Sequence, residues 1–504
     1  VKYAWLVIAI FTARFASTAI VFPSGDGDLA WQRWLGGVVA RAHAIPRALG
    51  SEVFSAPAAP WLPQEWAFSL AANAARRGLA WDLFAGGIAF AAVAALALSA
   101  ARAERRGGSP RAVALCTAFA GFGLFESFGV RAQVVAWPLV AAFLWALELE
   151  GPWCWLAFPL AALWSNLHAS AVLAPLLAGL SAFGAFLDEG RFGSRTRRAL
   201  LLTAAALVAI CCNPFGWELP AYAVSLFGNP IKSYISEWKV TDLDDVSFAA
   251  GALPLLFIAT IFGLRSGPGP RRWGDLLILA AFAFLLLSAA RNVSLFALVA
   301  LPLVAPILTR ARLGWFAPSP PAEPTRTDRI AAVALPTVAL AMALVVAVGL
   351  VRSAPPATGL ANAPLAALAA LPGEHHVFCA DFAWCGLAVG EPHVQVYLDG
   401  RADPFPRAVW EDFATVVRVA PSWEATLDRR HVDAVVVTAG TPLDQALGLA
   451  RDWRSGYADK TYRLWLRRGS VAAQPPRAFG VLPRVVGAPR RVEQFADAFE
   501  NVNK

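Results

Sequence analysis

The sequence predicts an all-α polytopic membrane domain over residues 1–352, followed by a small extracytoplasmic α/β domain over residues 353–504. Three observations lead there. Hydrophobic residues make up 58% of the 504 and charged residues only 15%, and the mean hydropathy is +0.53, values that a soluble domain with a solvated surface does not reach. Apolar runs near the length that crosses hydrocarbon, roughly 20 residues, recur along the chain between short Arg-rich loops. After Pro355 the pattern changes to short β-like runs alternating with helical stretches.

About eleven spans are expected on the length criterion, near 3–22, 80–101, 111–128, 133–149, 152–165, 169–187, 199–212, 248–264, 274–290, 293–309 and 330–351. The first has no small-residue cleavage site before the polar loop that follows, so it reads as a retained helix. Arg102, Arg105, Arg106 and Arg111 share one loop. Arg191, Arg195, Arg197 and Arg198 share a second, Arg265, Arg271 and Arg272 a third, and Arg310, Arg312, Arg326 and Arg329 a fourth. Alternation puts all four loops on the side of the amino terminus, and the positive-inside rule makes that side the cytoplasm. The expected location is the cytoplasmic (inner) membrane, with the carboxyl-terminal domain periplasmic. The net charge of +8 is accounted for by these loops, so no nucleic-acid partner is expected.

The two long outer loops are 23–79 and 213–247. In the first, Trp31, Trp34, Leu35, Val38 and Val39 recur at helical spacing opposite Gln32, Arg33 and Arg41, which predicts an amphipathic helix lying in the membrane interface. Pro57, Pro60 and Pro63 keep the next stretch extended until Gln64-Glu65-Trp66 opens another helix. In the second loop, Asn-Pro steps start turns, and Trp217, Tyr222, Tyr234 and Trp238 read as interfacial anchors. Asp26, Asp28, Glu65, Arg131, Gln133, Asn166, His168, Asn213, Glu237 and Arg291 all fall on the outer side. Polar and ionisable groups at a membrane boundary are costly unless paired or functional, so together they suggest one outward-facing polar cavity. Glu126 is expected to pair with Arg131.

In the carboxyl-terminal domain HHVFCA, VQVYLDG, DAVVVTAG and TYRLWLRR read as strands. PLAALAAL, AVWEDFATVV and PLDQALGLARDW read as helices, and Asp399-Gly400-Arg401 as a turn closing one strand. Cys116, Cys154, Cys211 and Cys212 lie in apolar spans as inert small residues. Cys379 and Cys385, in an oxidising compartment, could form a local disulfide. With His375 and His376 they could instead bind zinc, though the spacing fits no standard pattern. Walker, dinucleotide, HExxH and GxSxG motifs are absent from the sequence, so the use of ATP by this chain is not expected.

The run DLAWQRWLGG from Asp28, then IPRALGSEVFS, PWLPQEW, RAQ, WSNLH, CNPFGWE, SEW and VYLDGRADPF, resembles a group of bacterial membrane proteins related to the GT-C class of membrane glycosyltransferases, over nearly the whole chain. The resemblance implies transfer of a sugar from a polyprenyl-phosphate-linked donor to a glycan, lipid or protein acceptor outside the cytoplasmic membrane. It also implies that an acidic residue of the first outer loop, Asp28 or Asp26, is the catalytic base. Related sequences often carry His where this one has Gln32, and Gly where it has Ala169.

On that reading a carboxylate activates the acceptor hydroxyl and cations hold the departing phosphate. Arg131 and Arg291 are the candidate donor-phosphate ligands, since guanidinium gives a bidentate clamp. His168 could hydrogen-bond or donate a proton, Asn166 and Gln133 could orient sugar hydroxyls, and Glu65-Trp66 and Glu237-Trp238 could set a carboxylate beside an aromatic face. A divalent cation, Mg2+ or Mn2+, could bridge Asp26, Asp28 and the phosphate. Two other readings stand beside this one. One is a non-catalytic subunit that keeps the fold and scaffolds or caps a membrane protein complex, motivated by Gln32 and Ala169. The other is a transporter of a lipid-linked substrate, for which no inverted repeat is evident.

Overall fold

The structure, a computed structural model, describes residues 2–21, 26–75, 78–226, 230–265, 272–311, 314–316 and 362–469. Its first helices are α1 (Lys2–Val21), α2 (Gly27–Ala42), α3 (Trp66–Ala74), α4 (Gly78–Arg105), α5 (Pro110–Gly123), α6 (Ala132–Glu148) and α7 (Ala157–Leu167). Then come α8 (Leu173–Glu189), α9 (Ser194–Ala209), α10 (Glu218–Ser225), α11 (Leu253–Arg265), α12 (Trp273–Ser288) and α13 (Val293–Arg310). The carboxyl-terminal part holds α14 (Asn362–Ala369), β1 (His375–Cys379), α15 (Phe382–Cys385), β2 (Val394–Val396), α16 (Arg407–Val417), α17 (Trp423–Arg429), β3 (Ala434–Thr438), α18 (Pro442–Leu449), β4 (Trp453–Ala458) and β5 (Tyr462–Arg467).

The chain divides into two compact units, one of residues 1–21 and 85–353, the other of residues 22–84 and 354–504. In the first, helices stand where the apolar runs predict them. Among the described residues three are long and apolar enough to cross a membrane, Leu79–Arg105, Ala169–Glu189 and Ala290–Arg310, and four shorter apolar helices accompany them. The expected span at 330–351, with Arg326 and Arg329, lies outside the described residues. Several expected spans are shorter as α-helices than their apolar runs. The run at 111–128 leaves the helix at Leu124, and the run at 152–165 begins as a 3-10 turn over Gly151–Leu156, with Pro at its start, before α7. Of the three long helices the one containing α13 is the most enclosed, 83% buried against 50% and 44%. It therefore runs through the interior of its unit, with Pro302 and Pro306 inside it.

Arginines tie helix ends of this unit together. Arg102 and Arg106 both bond Glu148 at the end of α6, at 2.6–2.9 Å, and Arg106 forms a two-point clamp on Asp275 of α12 at 2.8 and 2.9 Å. Ser109 caps α5 and donates its amide to Thr309 of α13 at 2.8 Å. Such ion pairs satisfy charges that would be costly if buried singly.

The sheet of the second unit has the order β2-β1-β3-β5-β4. β1 pairs parallel with β2 and β3, and β5 pairs antiparallel with β3 and β4. The Val- and Phe-rich strands β1 and β3 are central and almost wholly buried, as parallel strands covered on both faces require. β4 begins at Trp453, where the stretch PLDQALGLARDW that reads as a helix ends, and it is a strand the sequence reading does not include. α18 stops at Leu449, and Trp453–Ala458 pairs along β5 with a bulge at Ser455/Tyr457. Its Arg, Ser and Gly suit an edge strand and hide it from a search for apolar alternation. The opposite edge is covered from the first long loop. Val53 bridges Val396 in parallel, the Val396 amide donates to Glu52 O at 2.8 Å, and the Phe54 amide donates to Val396 O at 3.2 Å.

Candidate functional site

Of the residues singled out from the sequence, Asp26, Asp28 and Glu65 belong to the loop-and-sheet unit. Arg131, Gln133, Asn166, His168, Glu237, Trp238 and Arg291 belong to the helical unit.

In the loop-and-sheet unit the two aspartates have different tasks. Asp26 is the N-cap of α2, its Oδ1 accepting from the Leu29 amide at 2.9 Å. That bond satisfies one of the amides left without a partner at a helix start. Asp28 stands in the first turn, where a carboxylate is favoured by the helix dipole, and its Oδ1 accepts from Trp31 Nε1 at 3.3 Å. Gly27 between them is there for contact: a Cβ on it would collide with the Ala383 carbonyl, and one on Gly386 would strike the Gly27 carbonyl. The turn it touches is braced by a disulfide between Cys379 and Cys385, whose Cα atoms are 5.8 Å apart. The two cysteines are thus bonded to each other. Among the described residues no group of three or more His, Cys, Asp or Glu side chains is placed to hold a metal ion.

Two sequence expectations change here. The aromatic face of α2, expected at the membrane interface, packs inside its own unit. Trp31 is buried with its ring 6.2 Å from that of Trp61, and Trp34 lies against Gly390. Gln32, expected on the polar face, is also buried, because α3 packs along that side and Glu65 accepts from Gln32 Nε2. Gln32 Oε1, Trp66 Nε1 and Ser69 Oγ are buried without a hydrogen-bond partner among the described residues.

Asp399-Gly400-Arg401 is more than a chain reversal. Arg401 Nη2 and Nε bond Asp399 at 2.6–3.1 Å and its Nη1 bonds Glu52 at 2.8 Å. The side chains of Arg401 and Asp399 are both 0% exposed. The guanidinium carbon lies 4.9 Å from the ring centre of Trp61 and 5.4 Å from that of Trp34. Burial works against the charge of Arg401, but Asp399 and Glu52 outweigh it and hold the pKa above its ordinary value. Sequence reasoning missed this cluster because Asp-Gly is a generic turn signal and Glu52 is far away in the chain.

In the helical unit Arg291, in the short turn between α12 and α13, rests over the ring of Trp238 at 5.0 Å. The Ala290 amide donates to Lys239 O at 2.9 Å, joining the two loops. His168, capping α7, accepts at Nδ1 from the Ser170 amide at 3.1 Å. Burial first, and then the Arg291 charge, pull its imidazole down to about 3. It is therefore neutral at physiological pH, able to orient a hydroxyl but carrying no imidazolium proton. Asn166 donates from Nδ2 to Ala162 O and Cys212 O, both at 2.8 Å, and Asn213 shapes the following turn by accepting from the Phe215 amide at 2.8 Å. Gln133 donates to Ser127 O at 3.0 Å. Arg131 is the N-cap residue of α6, and Glu237 sits in the 3-10 turn Ser236–Trp238.

Glu126 is held by groups other than the expected Arg131. Its amide donates to Ser247 Oγ at 2.9 Å and its Oε1 accepts from the Val246 amide at 3.2 Å. Burial, then the neighbouring Asp245 carboxyl, push its pKa up. Asp245 is 119 positions beyond Glu126, whereas Arg131 is only five, a reminder that proximity in sequence is a poor guide across a turn.

Neither a family model nor a curated protein matches this sequence. Among solved structures, the archaeal oligosaccharyltransferase AglB from Archaeoglobus fulgidus, in complex with an inhibitory peptide and a dolichol-phosphate, matches with a TM-score of 0.54 at 12% identity, over 87% of this chain and 69% of that one. ArnT from Cupriavidus metallidurans in the apo state gives 0.51 at 15% identity, over 93% and 98%. The Archaeoglobus fulgidus oligosaccharyltransferase complex with Zn and sulfate gives 0.50 at 12% identity, over 86% and 68%. The structural neighbours are GT-C glycosyltransferases, and this largely helical chain with its small carboxyl-terminal sheet has their fold.

Proposed function

We propose that this protein is a membrane glycosyltransferase that moves a sugar from a polyprenyl-phosphate-linked donor to an acceptor on the outer face of the cytoplasmic membrane. The observation that carries the reading is the GT-C fold over most of the chain, shared with a protein solved with a dolichol-phosphate. Asp28 is the general base, taking the proton of the acceptor hydroxyl as that oxygen attacks the anomeric carbon and the lipid phosphate leaves. Asp26, as the N-cap of α2, serves the helix start through its bond to the Leu29 amide. Arg291 and Arg131 hold the donor phosphate. In support, the guanidinium of Arg291 lies over the Trp238 ring, a setting that favours an arriving anion. Asn166, Gln133, Glu65, Glu237 and Trp238 contact the sugar or acceptor. A Mg2+ or Mn2+ ion would be held by Asp28 together with the donor phosphate, since such an ion needs only one or two protein carboxylates beside substrate oxygens, and it would offset charge on the departing phosphate.

The scaffold reading has one observation on its side: the Asp28 carboxylate is packed against Gly400 and bonded to Trp31. The experiment that separates the two follows label from polyprenyl-phosphate-linked hexoses and pentoses into membrane-associated product, at equal protein levels. Asp28→Asn abolishes labelling and Asp26→Asn retains most of it if Asp28 is the base. Undiminished labelling by both variants defeats the catalytic reading.

A further inference from the structure

We infer that Gly400 and Arg401 are positioning residues for the Asp28 carboxylate, so that the buried Asp399-Gly400-Arg401 turn sets where the proposed base stands. The inference rests on the reading of Asp28 as that base.

Two routes lead from the turn to the carboxylate. The first is direct. A Cβ on Gly400 would collide with Asp28 Oδ1 and come within 3.2 Å of Trp31 Nε1. Gly400 is not among the glycines with positive φ, so the missing side chain is required by the neighbouring carboxylate rather than by the backbone. The second route runs through the tryptophans. Arg401 lies 4.9 Å from the ring centre of Trp61, Trp61 meets Trp31 nearly edge-on at 6.2 Å, and Trp31 Nε1 donates to Asp28 Oδ1 at 3.3 Å.

The turn itself is fixed. Arg401 is bonded to Asp399 through Nε and Nη2 and to Glu52 through Nη1, and its amide donates to Asp399 Oδ1 at 2.9 Å. Displacing it would strand charges in a buried place, which strongly opposes movement. A chain reversal needs none of this. A base needs its carboxylate held within a fraction of an ångström of the working position, and a misplacement of 1 Å can cost about a hundredfold in rate.

The test uses the full-length protein in lipid nanodiscs with polyprenyl-phosphate-linked hexoses and pentoses as donors. Gly400→Ala, which aims a methyl group at the carboxylate, lowers kcat by about 100-fold while the donor KM stays within about twofold, since uniform binding is untouched. The acidic limb of its kcat profile moves to higher pH, because the methyl desolvates the carboxylate. Arg401→Lys keeps the charge but loses the fork. It shows the same split in smaller degree, and it carries the comparison should Gly400→Ala fail to fold. Full kcat in a folded Gly400→Ala, with Asp28→Asn inactive, overturns this inference and leaves Asp28 as the base. Activity in Asp28→Asn overturns both.

Discussion

Arg401 and Arg291 are both arginines set against tryptophan, and they differ in what else surrounds them. Arg401 is closed off, its fork filled by Asp399 and Glu52 and its side chain 0% exposed. Arg291 is half-buried over Trp238, next to a neutral His168, with no carboxylate on its guanidinium among the described residues. A guanidinium whose donors are all taken by carboxylates can only hold architecture together, while one offered an aromatic face keeps its donors for an anion. Residue type and aromatic company look alike in the two regions; the acidic partners separate them.

The largest test of that contrast is Arg401→Met. Removing the cation leaves Asp399 and Glu52 facing each other in a buried place, and the expected loss is about 3–5 kcal/mol, read by thermal unfolding in detergent. Neutralising the acids as well, with Asp399→Asn and Glu52→Gln, should return much of it. A loss below about 1 kcal/mol, the range of a surface pair, would break the comparison. Arg291→Leu should do the opposite, leaving unfolding nearly unchanged but cutting turnover of polyprenyl-phosphate donors by about 100-fold, the scale of removing one donor to developing negative charge. Unaltered turnover would make Arg291 an anchor for the Trp238 loop and nothing more. The smallest effect sharpens the picture of the closed region. Cys379→Ser with Cys385→Ser opens a short loop and should cost about 2 kcal/mol, with a matching drop in the unfolding midpoint of the native protein under reductant.

Much of the fold is legible in the amino-acid order because its signals are local. Apolar runs bounded by arginines mark the helices of the first unit, and Ala434–Thr438, a run of valines, can hardly be anything but a buried strand. The Trp31–Val39 pattern announces an amphipathic helix, and α2 covers it. What that pattern cannot say is what covers the apolar face: a bilayer and a protein interior ask for the same side chains. The fate of Gln32 was hidden for the same reason, since only the arrival of Glu65 makes its burial tolerable. Long-range pairings were hidden altogether. Glu126 with Asp245, and Arg401 with Glu52, join positions that no local spacing rule connects. That Asp26 caps α2 while Asp28 stands in its first turn could not be read from the sequence, because it depends on the backbone amide of Leu29.

The pairing of Val53 with Val396 carries a consequence in time rather than in space. Ser55 bonds the carbonyl of Tyr397, 342 residues further along. At roughly 5–20 residues per second of synthesis, the first long loop emerges on the order of 20–70 seconds before the edge it will complete. For that interval its polar backbone and its tryptophans wait at the membrane without their partner. Completion of this sheet edge is thus paced by the synthesis of the strand around Val396, and a ribosome that stalls before residue 375 leaves the first long loop with nothing to close on.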